Sequence, residues 1–207
     1  MTRVLLVRHA ETVLNAESRY SGQRDAPLTP RGVAQQERLR ARLANEAIGR
    51  VLGSDLARCL ELAEAIARDH GLHAEGLSAL REASFGAWEG LTYAEGMARD
   101  RPAMVAFNRD TVNVAPPGGE SLATLTARAR PAFDAALKEH RDRPGALLVL
   151  SHGGTLRALL CGLLHLPLER YWTLSLDPAS LTILATYPLG AIVSVLNDTC
   201  HLHGVGA

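Results

Sequence analysis

The chain has 207 residues, of which 47% are hydrophobic, enough for one domain with a sizeable core or for such a domain with a modest insertion. Its 22 Lys and Arg residues match its 22 Asp and Glu residues, so the formal net charge is zero. A neutral chain has no global field to attract nucleic acid or an anionic membrane. We therefore predict no nucleic-acid or membrane partner, and any anion site must be local.

The cysteines and the N-terminal sequence both indicate the cellular compartment of the protein. The three cysteines are widely spaced and form no CxxC pair, which is typical of proteins from a reducing cytosol. The first apolar run, residues 4–7, stops at Arg8, far short of a signal-peptide core or a membrane span. We predict a cytoplasmic protein.

Three short apolar runs, residues 4–7, 51–54 and 147–150, are each followed by polar side chains and then by a helical pattern. Such runs are typical of strands that are covered on both faces. Thr29 and Pro30 form the predicted N-cap and first turn of one helix.

Two further helices are predicted from apolar periodicity. Apolar residues at helical spacing in residues 56–67 predict one of them, and Gly71 marks its end. A longer amphipathic helix is predicted over residues 122–137.

This alternation predicts an α/β fold with a mostly parallel open sheet and helices on both faces. Near the C-terminus, residues 181–186 and 191–196 flank a turn, which predicts an antiparallel hairpin at one edge of the sheet. We predict a single domain over residues 1–207. The segment at about 91–114 is the least patterned, and we predict that it forms a small cap-like insertion over the active site and governs substrate choice.

In open α/β sheets, ligands bind beyond the carboxyl ends of the strands. Arg8, His9, Arg58 and His152 all follow predicted strands, so we expect them to converge there. Two arginines suit an oxyanion, and Gly153 at the start of a helix adds backbone donors, so phosphate is the predicted guest.

A neutral His9 could attack phosphorus through one ring nitrogen. A protonated His152 would then help the two arginines to stabilise the charge. Glu82, on a glycine-punctuated loop, is the candidate proton donor for the leaving oxygen. Glu89 is an alternative donor, and Glu11 is a poorer one.

Metal binding at the two histidines is disfavoured because no HxH, HExxH or Asp-His cluster accompanies either one and the arginines would repel a cation. We predict no metal and no other cofactor. Trp88 and Trp172 are interpreted as packing residues rather than as stacking platforms.

Five stretches occur in a familiar order: LLVRHAET, SDLARCLELA, LREASFGAWEG, PPGGES and LSHGGTLRALL. Together they closely resemble the histidine phosphatase superfamily, also called the phosphoglycerate mutase-like family. The resemblance implies that His9 becomes phosphorylated, and that Glu82 is first the proton donor and then the base for water.

The resemblance also assigns the groups that surround the phosphate. It implies that Arg8, Arg58 and His152 hold the phosphate. Asn15 matches a further position that lies beside the phosphate in this family. Ser21 and Gly22 match a turn that faces the substrate in the same family.

The number of basic residues after Glu82 indicates which branch of the superfamily the chain resembles. Between residues 82 and 118 only Arg99, Arg101 and Arg109 are basic, whereas cofactor-dependent phosphoglycerate mutases carry more basic residues there. The chain looks more like the phosphatase branch, which includes the α-ribazole phosphatases and broad-specificity phosphatases.

The resulting prediction is a histidine acid phosphatase-type enzyme: a metal-independent phosphomonoester hydrolase that acts through phosphohistidine on a small phosphorylated metabolite. Two alternatives stay open, a cofactor-dependent phosphoglycerate mutase and a non-catalytic protein that binds phosphate ligands.

Overall fold

The computed structural model describes residues 1–205 and contains one six-stranded sheet in the order β3-β2-β4-β1-β5-β6. The strands are β1 (Thr2–Arg8), β2 (Ile48–Ser54), β3 (Ala74–Leu77), β4 (Ala146–Ser151), β5 (Leu181–Tyr187) and β6 (Gly190–Asp198). The first four strands run parallel, and β5 and β6 form an antiparallel hairpin at one edge. The predicted mixed sheet and its antiparallel edge are confirmed.

Seven α-helices are described: α1 (Val13–Ala16), α2 (Pro30–Leu43), α3 (Ala57–Asp69), α4 (Tyr93–Arg99), α5 (Arg101–Arg109), α6 (Leu122–His140) and α7 (Gly153–Leu163). Thr29 caps α2 by accepting a hydrogen bond from the N–H of Gly32 at 2.9 Å, and Pro30 occupies the first turn. Gly71, which follows α3, has a φ of +67°, the left-handed conformation that commonly ends helices. These predicted helix ends are confirmed.

The core lies on both faces of the sheet because successive strand side chains point to opposite sides. Val4 and Leu6 of β1 pack in one cluster with residues of α6 and α7. Leu5 and Val7 pack in a second cluster with residues of α2 and α3. Helices therefore cover both faces, as predicted.

The segment at 91–114, which the sequence left unpatterned, contains the two short helices α4 and α5. Thr92 and Glu95 form a capping box at the start of α4, and Asp100 caps α5 by accepting from the N–H of Ala103. Trp88 is fully buried in a third apolar cluster that contacts this segment, so its predicted packing role is confirmed.

Two further predictions concern the bounds of the domain and the expected absence of a membrane span. The predicted domain of 1–207 includes residues 206 and 207, which lie outside the described residues. Across residues 1–205, no helix combines the length and apolar character that a membrane span needs.

Candidate active site

A cavity of about 590 Å³ opens where β1, β2 and β4 end and the helices that follow them begin. Every predicted site residue except His152 lines it. The lining members of the predicted set are Arg8, His9, Asn15, Ser21, Gly22, Arg58, Glu82 and Gly153. The topology thus brings residues from four separated stretches of sequence to one point.

His9 follows β1 and is almost fully buried. Its Nδ1 donates to the carbonyl oxygen of Ala10 at 2.7 Å, so the proton of a neutral ring sits on Nδ1 and Nε2 keeps its lone pair. Burial, together with the charges of Arg58 and Arg8, lowers the pKa of His9 well below its ordinary value. The residue is therefore a neutral imidazole with a nucleophilic nitrogen.

His152 follows β4 and is completely buried. Arg58 Nε donates to its Nδ1 at 3.2 Å, and its Nε2 donates to Ser54 Oγ at 2.8 Å. Burial, followed by the charge of Arg58, lowers the pKa of His152 well below its ordinary value. Burial and the neighbouring cations therefore favour the neutral ring, and the protonated state predicted for His152 during phosphoryl transfer stays a prediction.

The role of His152 as a phosphate ligand stays a prediction, since its ring lies outside the cavity lining. The His152 ring centroid is 5.1 Å from that of His9, so the two rings lie side by side.

Arg58 lies in the first turn of α3 with its side chain almost fully buried. Besides contacting His152, it donates from Nη2 to the carbonyl oxygen of Gly22 at 2.7 Å and from Nη1 to that of Arg24 at 2.9 Å. The guanidinium therefore holds the turn after α1 against the cavity while it still lines the cavity itself.

Arg8 ends β1 and donates from Nη1 to the carbonyl oxygen of Leu176 at 2.6 Å. Its buried Nε has no hydrogen-bond partner among residues 1–205. Burial lowers the pKa of Arg8, and the nearby charge of Arg157 adds to this, whereas that of Glu82 opposes it. A Cβ placed on Gly153 would lie 3.3 Å from both Arg8 Cζ and Arg157 Nη1, so two guanidinium groups flank the start of α7.

Glu82 is one of the carboxylates that line the cavity. Its Oε2 accepts from the N–H of Gly154 at 2.9 Å, and its Oε1 accepts from the N–H groups of Thr155 at 3.2 Å and Ala83 at 3.0 Å. The two alternative donors are placed elsewhere. Glu89 is absent from the lining and accepts from Gln23, Ser84 and Phe85, and Glu11 accepts from Thr29 and Arg31.

The remaining predicted residues form one wall of the cavity. Asn15 Oδ1 accepts from the backbone N and the Oγ1 of Thr12 at 3.1 and 3.0 Å, which leaves its amide N–H groups for a ligand. Ser21 Oγ is buried and has no hydrogen-bond partner among the described residues. Gly22 has a φ of +52°, and a Cβ there would overlap the Glu89 carboxylate, so the turn requires glycine.

Arg157, Tyr171 and Trp172 line the cavity and were not among the predicted site residues. Arg157 lies in α7, and its Cζ is 5.6 Å from the ring centroid of Tyr171 and 5.3 Å from that of Trp172. The predicted packing role of Trp172 is wrong, because it is 67% exposed at the mouth of the cavity. The basic residue one helical turn after Gly153 was the signal for Arg157, whereas no sequence signal marked Trp172.

The segment at 91–114 also reaches the cavity. Its lining members are Phe107, Asn108, Arg109, Asp110, Thr111 and Val112. Of its three arginines, only Arg109 lines the cavity. Within residues 1–205, no group of three or more His, Cys, Asp or Glu residues lies close enough together to hold a metal ion, and independence from metal stays a prediction.

Comparison with known proteins identifies the family of this chain. The sequence model of the histidine phosphatase superfamily, branch 1, matches residues 4–199. The chain is 30% identical to phosphoserine phosphatase 1 of Hydrogenobacter thermophilus, with 98% of this chain and 95% of that protein covered. It is 31% identical to the adenosylcobalamin/α-ribazole phosphatase of Escherichia coli, with 95% and 96% covered.

A solved structure of mycobacterial glucosyl-3-phosphoglycerate phosphatase in complex with VO3 is similar, with a TM-score of 0.86 and 30% identity, covering 96% of this chain and 100% of that one. The family resemblance noted in the sequence is confirmed by both kinds of comparison. The chain belongs to the histidine phosphatase superfamily.

Proposed function

We propose that this protein hydrolyses phosphomonoesters of small metabolites through a phosphoryl group carried on His9, without a metal or another cofactor. The observation that carries the proposal is the protonation state of the His9 ring and its place in the cavity. Its proton is held on Nδ1 by the carbonyl oxygen of Ala10, and its ring lines a cavity that Arg8 and Arg58 also line. A nucleophile beside fixed positive charge is the arrangement that phosphoryl transfer requires.

In the first step, His9 Nε2 forms a bond to phosphorus as the bond between phosphorus and the leaving oxygen breaks. The leaving oxygen takes a proton from Glu82 and departs as an alcohol. In the second step, water attacks phosphorus, Glu82 takes the proton from that water, and the bond between phosphorus and Nε2 breaks. Inorganic phosphate then leaves, and His9 returns to its neutral form.

The phosphoryl oxygens carry the charge that develops in both steps. Arg8 and Arg58 supply guanidinium donors, Asn15 supplies its amide, and the N–H of Gly153 lies at the positive end of α7. His152 contributes by accepting from Arg58 Nε, which orients that guanidinium.

The substrate is proposed to be a small phosphorylated metabolite. Similar proteins are named as phosphatases of phosphoserine, α-ribazole and glucosyl-3-phosphoglycerate. A cavity of about 590 Å³ has room for a leaving group well beyond the size of phosphate. Hydrolysis is favoured over mutase activity because Arg109 is the one basic residue that the described segment 91–114 directs to the cavity.

The test is phosphate release, in excess EDTA, from p-nitrophenyl phosphate, α-ribazole 5′-phosphate, sugar phosphates and 3-phosphoglycerate. We expect release that persists in EDTA and disappears in His9→Ala. His73→Ala, at an exposed histidine, is the matched control and should retain full activity. Brief incubation with ³²P-labelled substrate should leave an acid-labile label on the wild type and none on His9→Ala.

Three results would contradict the proposal. Full activity in His9→Ala would exclude His9 as the nucleophile. Interconversion of 2- and 3-phosphoglycerate that outpaces phosphate release would favour a mutase. Saturable binding of phosphate esters without turnover or label would favour a non-catalytic binding protein.

A further inference from the structure

The PPGGES stretch has no part in the reaction steps proposed above, although it ends beside the catalytic cavity. Its Glu120 lines the cavity and pairs with Arg128 of α6. The two side chains are only 17% and 23% exposed. A charged pair held this far from water is costly unless its hydrogen bonds are satisfied, so the partners of these groups are informative.

Arg128 contacts the backbone on the N-terminal side of the proposed proton donor and at the donor itself. Its Nη1 donates to the carbonyl oxygens of Ala79 and Arg81, both at 2.9 Å. Its Nη2 donates to the carbonyl oxygen of Glu82 at 2.8 Å. One rigid guanidinium therefore contacts three carbonyls within four residues.

Glu120 contacts the backbone on the other side of the donor. Its two carboxylate oxygens accept from Arg128 Nε and Nη2, each at 2.7 Å, and Oε2 also accepts from the N–H of Ser84 at 2.9 Å. The N–H of Glu120 donates to the carbonyl oxygen of Ser84 at 2.8 Å. Burial opposes ionisation of Glu120, but the hydrogen bonds from Arg128 and Ser84 outweigh it and hold its pKa below the ordinary value.

These contacts use all five N–H donors of Arg128, and they bracket Glu82 from residue 79 to residue 84. The attachment of α6 to the sheet does not depend on them, because α6 buries Leu125, Ala129 and Phe133 in the core. The pair therefore acts mainly on the loop that carries Glu82.

We propose that Arg128 and Glu120 are positioning residues, which fix the backbone of residues 79–84 so that the Glu82 carboxyl group meets the leaving oxygen. This inference rests on the proposed function, in which Glu82 donates a proton as the ester bond breaks. Small displacements of a catalytic group lower rates strongly, so loosening this loop should weaken proton donation before it weakens phosphate binding.

The inference predicts a dependence on the leaving group. p-Nitrophenolate departs without a proton, whereas an alkoxide from a sugar phosphate needs one. In Arg128→Gln and Glu120→Gln, kcat/KM should fall about 100-fold for sugar phosphates and only about threefold for p-nitrophenyl phosphate. The parameter kcat/KM isolates this effect, because it reports the steps up to departure of the leaving group and is not affected by later hydrolysis of phosphohistidine.

Arg128→Lys and Arg130→Gln supply the controls. A lysine at 128 keeps the charge but has three donors on one nitrogen, so it cannot contact three carbonyls and both carboxylate oxygens. Arg128→Lys should therefore show the same leaving-group dependence as Arg128→Gln. Arg130 also lies in α6 and pairs with Asp134, so Arg130→Gln removes an ion pair from that helix without touching the loop and should leave both activities unchanged.

The inference is overturned if the folded variants lose activity equally for all leaving groups, or lose none, while the wild type is active. Inhibition by inorganic phosphate should be unchanged in all of them, and a rise in its Ki that matches the fall in kcat/KM would also overturn it. If Arg128→Gln does not fold, Glu120→Gln decides the question. A wild type without phosphatase activity would refute the proposed function itself, which is a separate outcome.

Discussion

Glu82 Oε2 accepts a hydrogen bond from the backbone N–H of Gly154 at 2.9 Å, so the loop after β3 and the first turn of α7 meet at one carboxylate. The N-terminus of a helix presents free N–H groups and a positive dipole end, which suit a carboxylate. Gly154 has no Cβ, and a Cβ at this position would overlap Glu82 Oε1. The absence of a Cβ at residue 154 leaves room for the proposed proton donor.

Gly154→Ala should therefore displace the Glu82 side chain while it leaves His9 in place. We expect kcat/KM for sugar phosphates to fall about 10- to 100-fold, because the donor no longer reaches the leaving oxygen. Hydrolysis of p-nitrophenyl phosphate should be much less affected. Steady-state kinetics with the two substrates measures the difference.

Gly162→Ala is the matched control in the same helix. A Cβ at Gly162 meets the flexible end of Arg130, which can move, so activity should be unchanged and the helix should be slightly more stable. Equal loss of activity in the two alanine variants would contradict the steric argument.

Arg58 joins three parts of the site, and its substitution by lysine tests that geometry. Arg58→Lys keeps a positive charge but cannot reach Gly22, Arg24 and His152 together. The free energy of unfolding should fall by about 2–3 kcal/mol because buried acceptors lose their donors. The Ki for inorganic phosphate should rise about tenfold or more, because one fork of donors is lost.

Urea denaturation and phosphate inhibition measure these two effects. Arg68→Lys serves as the control, since Arg68 lies exposed in the same helix. An unchanged Ki for phosphate in Arg58→Lys would show that Arg58 holds the loop and does not bind the anion.

Structural features that depend on local sequence pattern could be predicted from the sequence. Arg8 and His9 could be placed in a crevice because they end a buried run, and a parallel sheet collects strand ends at one edge. The N-cap at Thr29 and the glycine stop at Gly71 follow from single-residue preferences, so the helix ends were predicted well.

Structural features that depend on tertiary contacts could not be predicted from the sequence. The neutral state of His152 depends on complete burial beside Arg58, which lies 94 residues away in the chain. The exposure of Trp172 depends on how a short turn of 3₁₀-helix after α7 sits over the cavity. Helices α4 and α5 were missed because each is shorter than the window over which an apolar period can be recognised.

The two buried histidines of the active site, His9 and His152, predict a pH dependence of stability. Both pKa values are lowered well below the ordinary value near 6.5, mainly by burial. Between that value and the lowered ones, the unfolded chain binds protons that the folded chain does not, so the free energy of unfolding falls as pH falls. The contribution is fully present above about pH 6.5 and decreases by up to about 1.4 kcal/mol per pH unit for each histidine below it.

Urea denaturation between pH 7.5 and pH 5, in buffers without phosphate, measures this slope. In His9→Gln one of the two groups is removed, so the slope should become shallower, whereas His73→Ala should keep the wild-type slope because His73 is exposed. Wild-type stability that stays constant over this range would contradict burial of the histidines in the neutral form.

The exposed ring of Trp172 predicts an effect on the leaving group rather than on the phosphate. The ring lines the cavity, contacts the edge of Tyr171 at 4.9 Å between centroids, and lies 5.3 Å from Arg157 Cζ. In Trp172→Ala, KM should rise about tenfold for esters with bulky leaving groups, which corresponds to about 1.4 kcal/mol of lost contact. The Ki for inorganic phosphate should be unchanged, because phosphate does not extend to the cavity mouth.

Tyr187→Ala is the control, since Tyr187 is also an exposed aromatic residue but lies at the β5–β6 hairpin and does not line the cavity. Its KM values should equal those of the wild type. A Trp172→Ala variant whose KM rises by the same factor for small and bulky esters would instead indicate that the ring supports Arg157 near the phosphate. The ratio of the two KM changes therefore shows whether the Trp172 ring contacts the leaving group or positions Arg157 beside the phosphate.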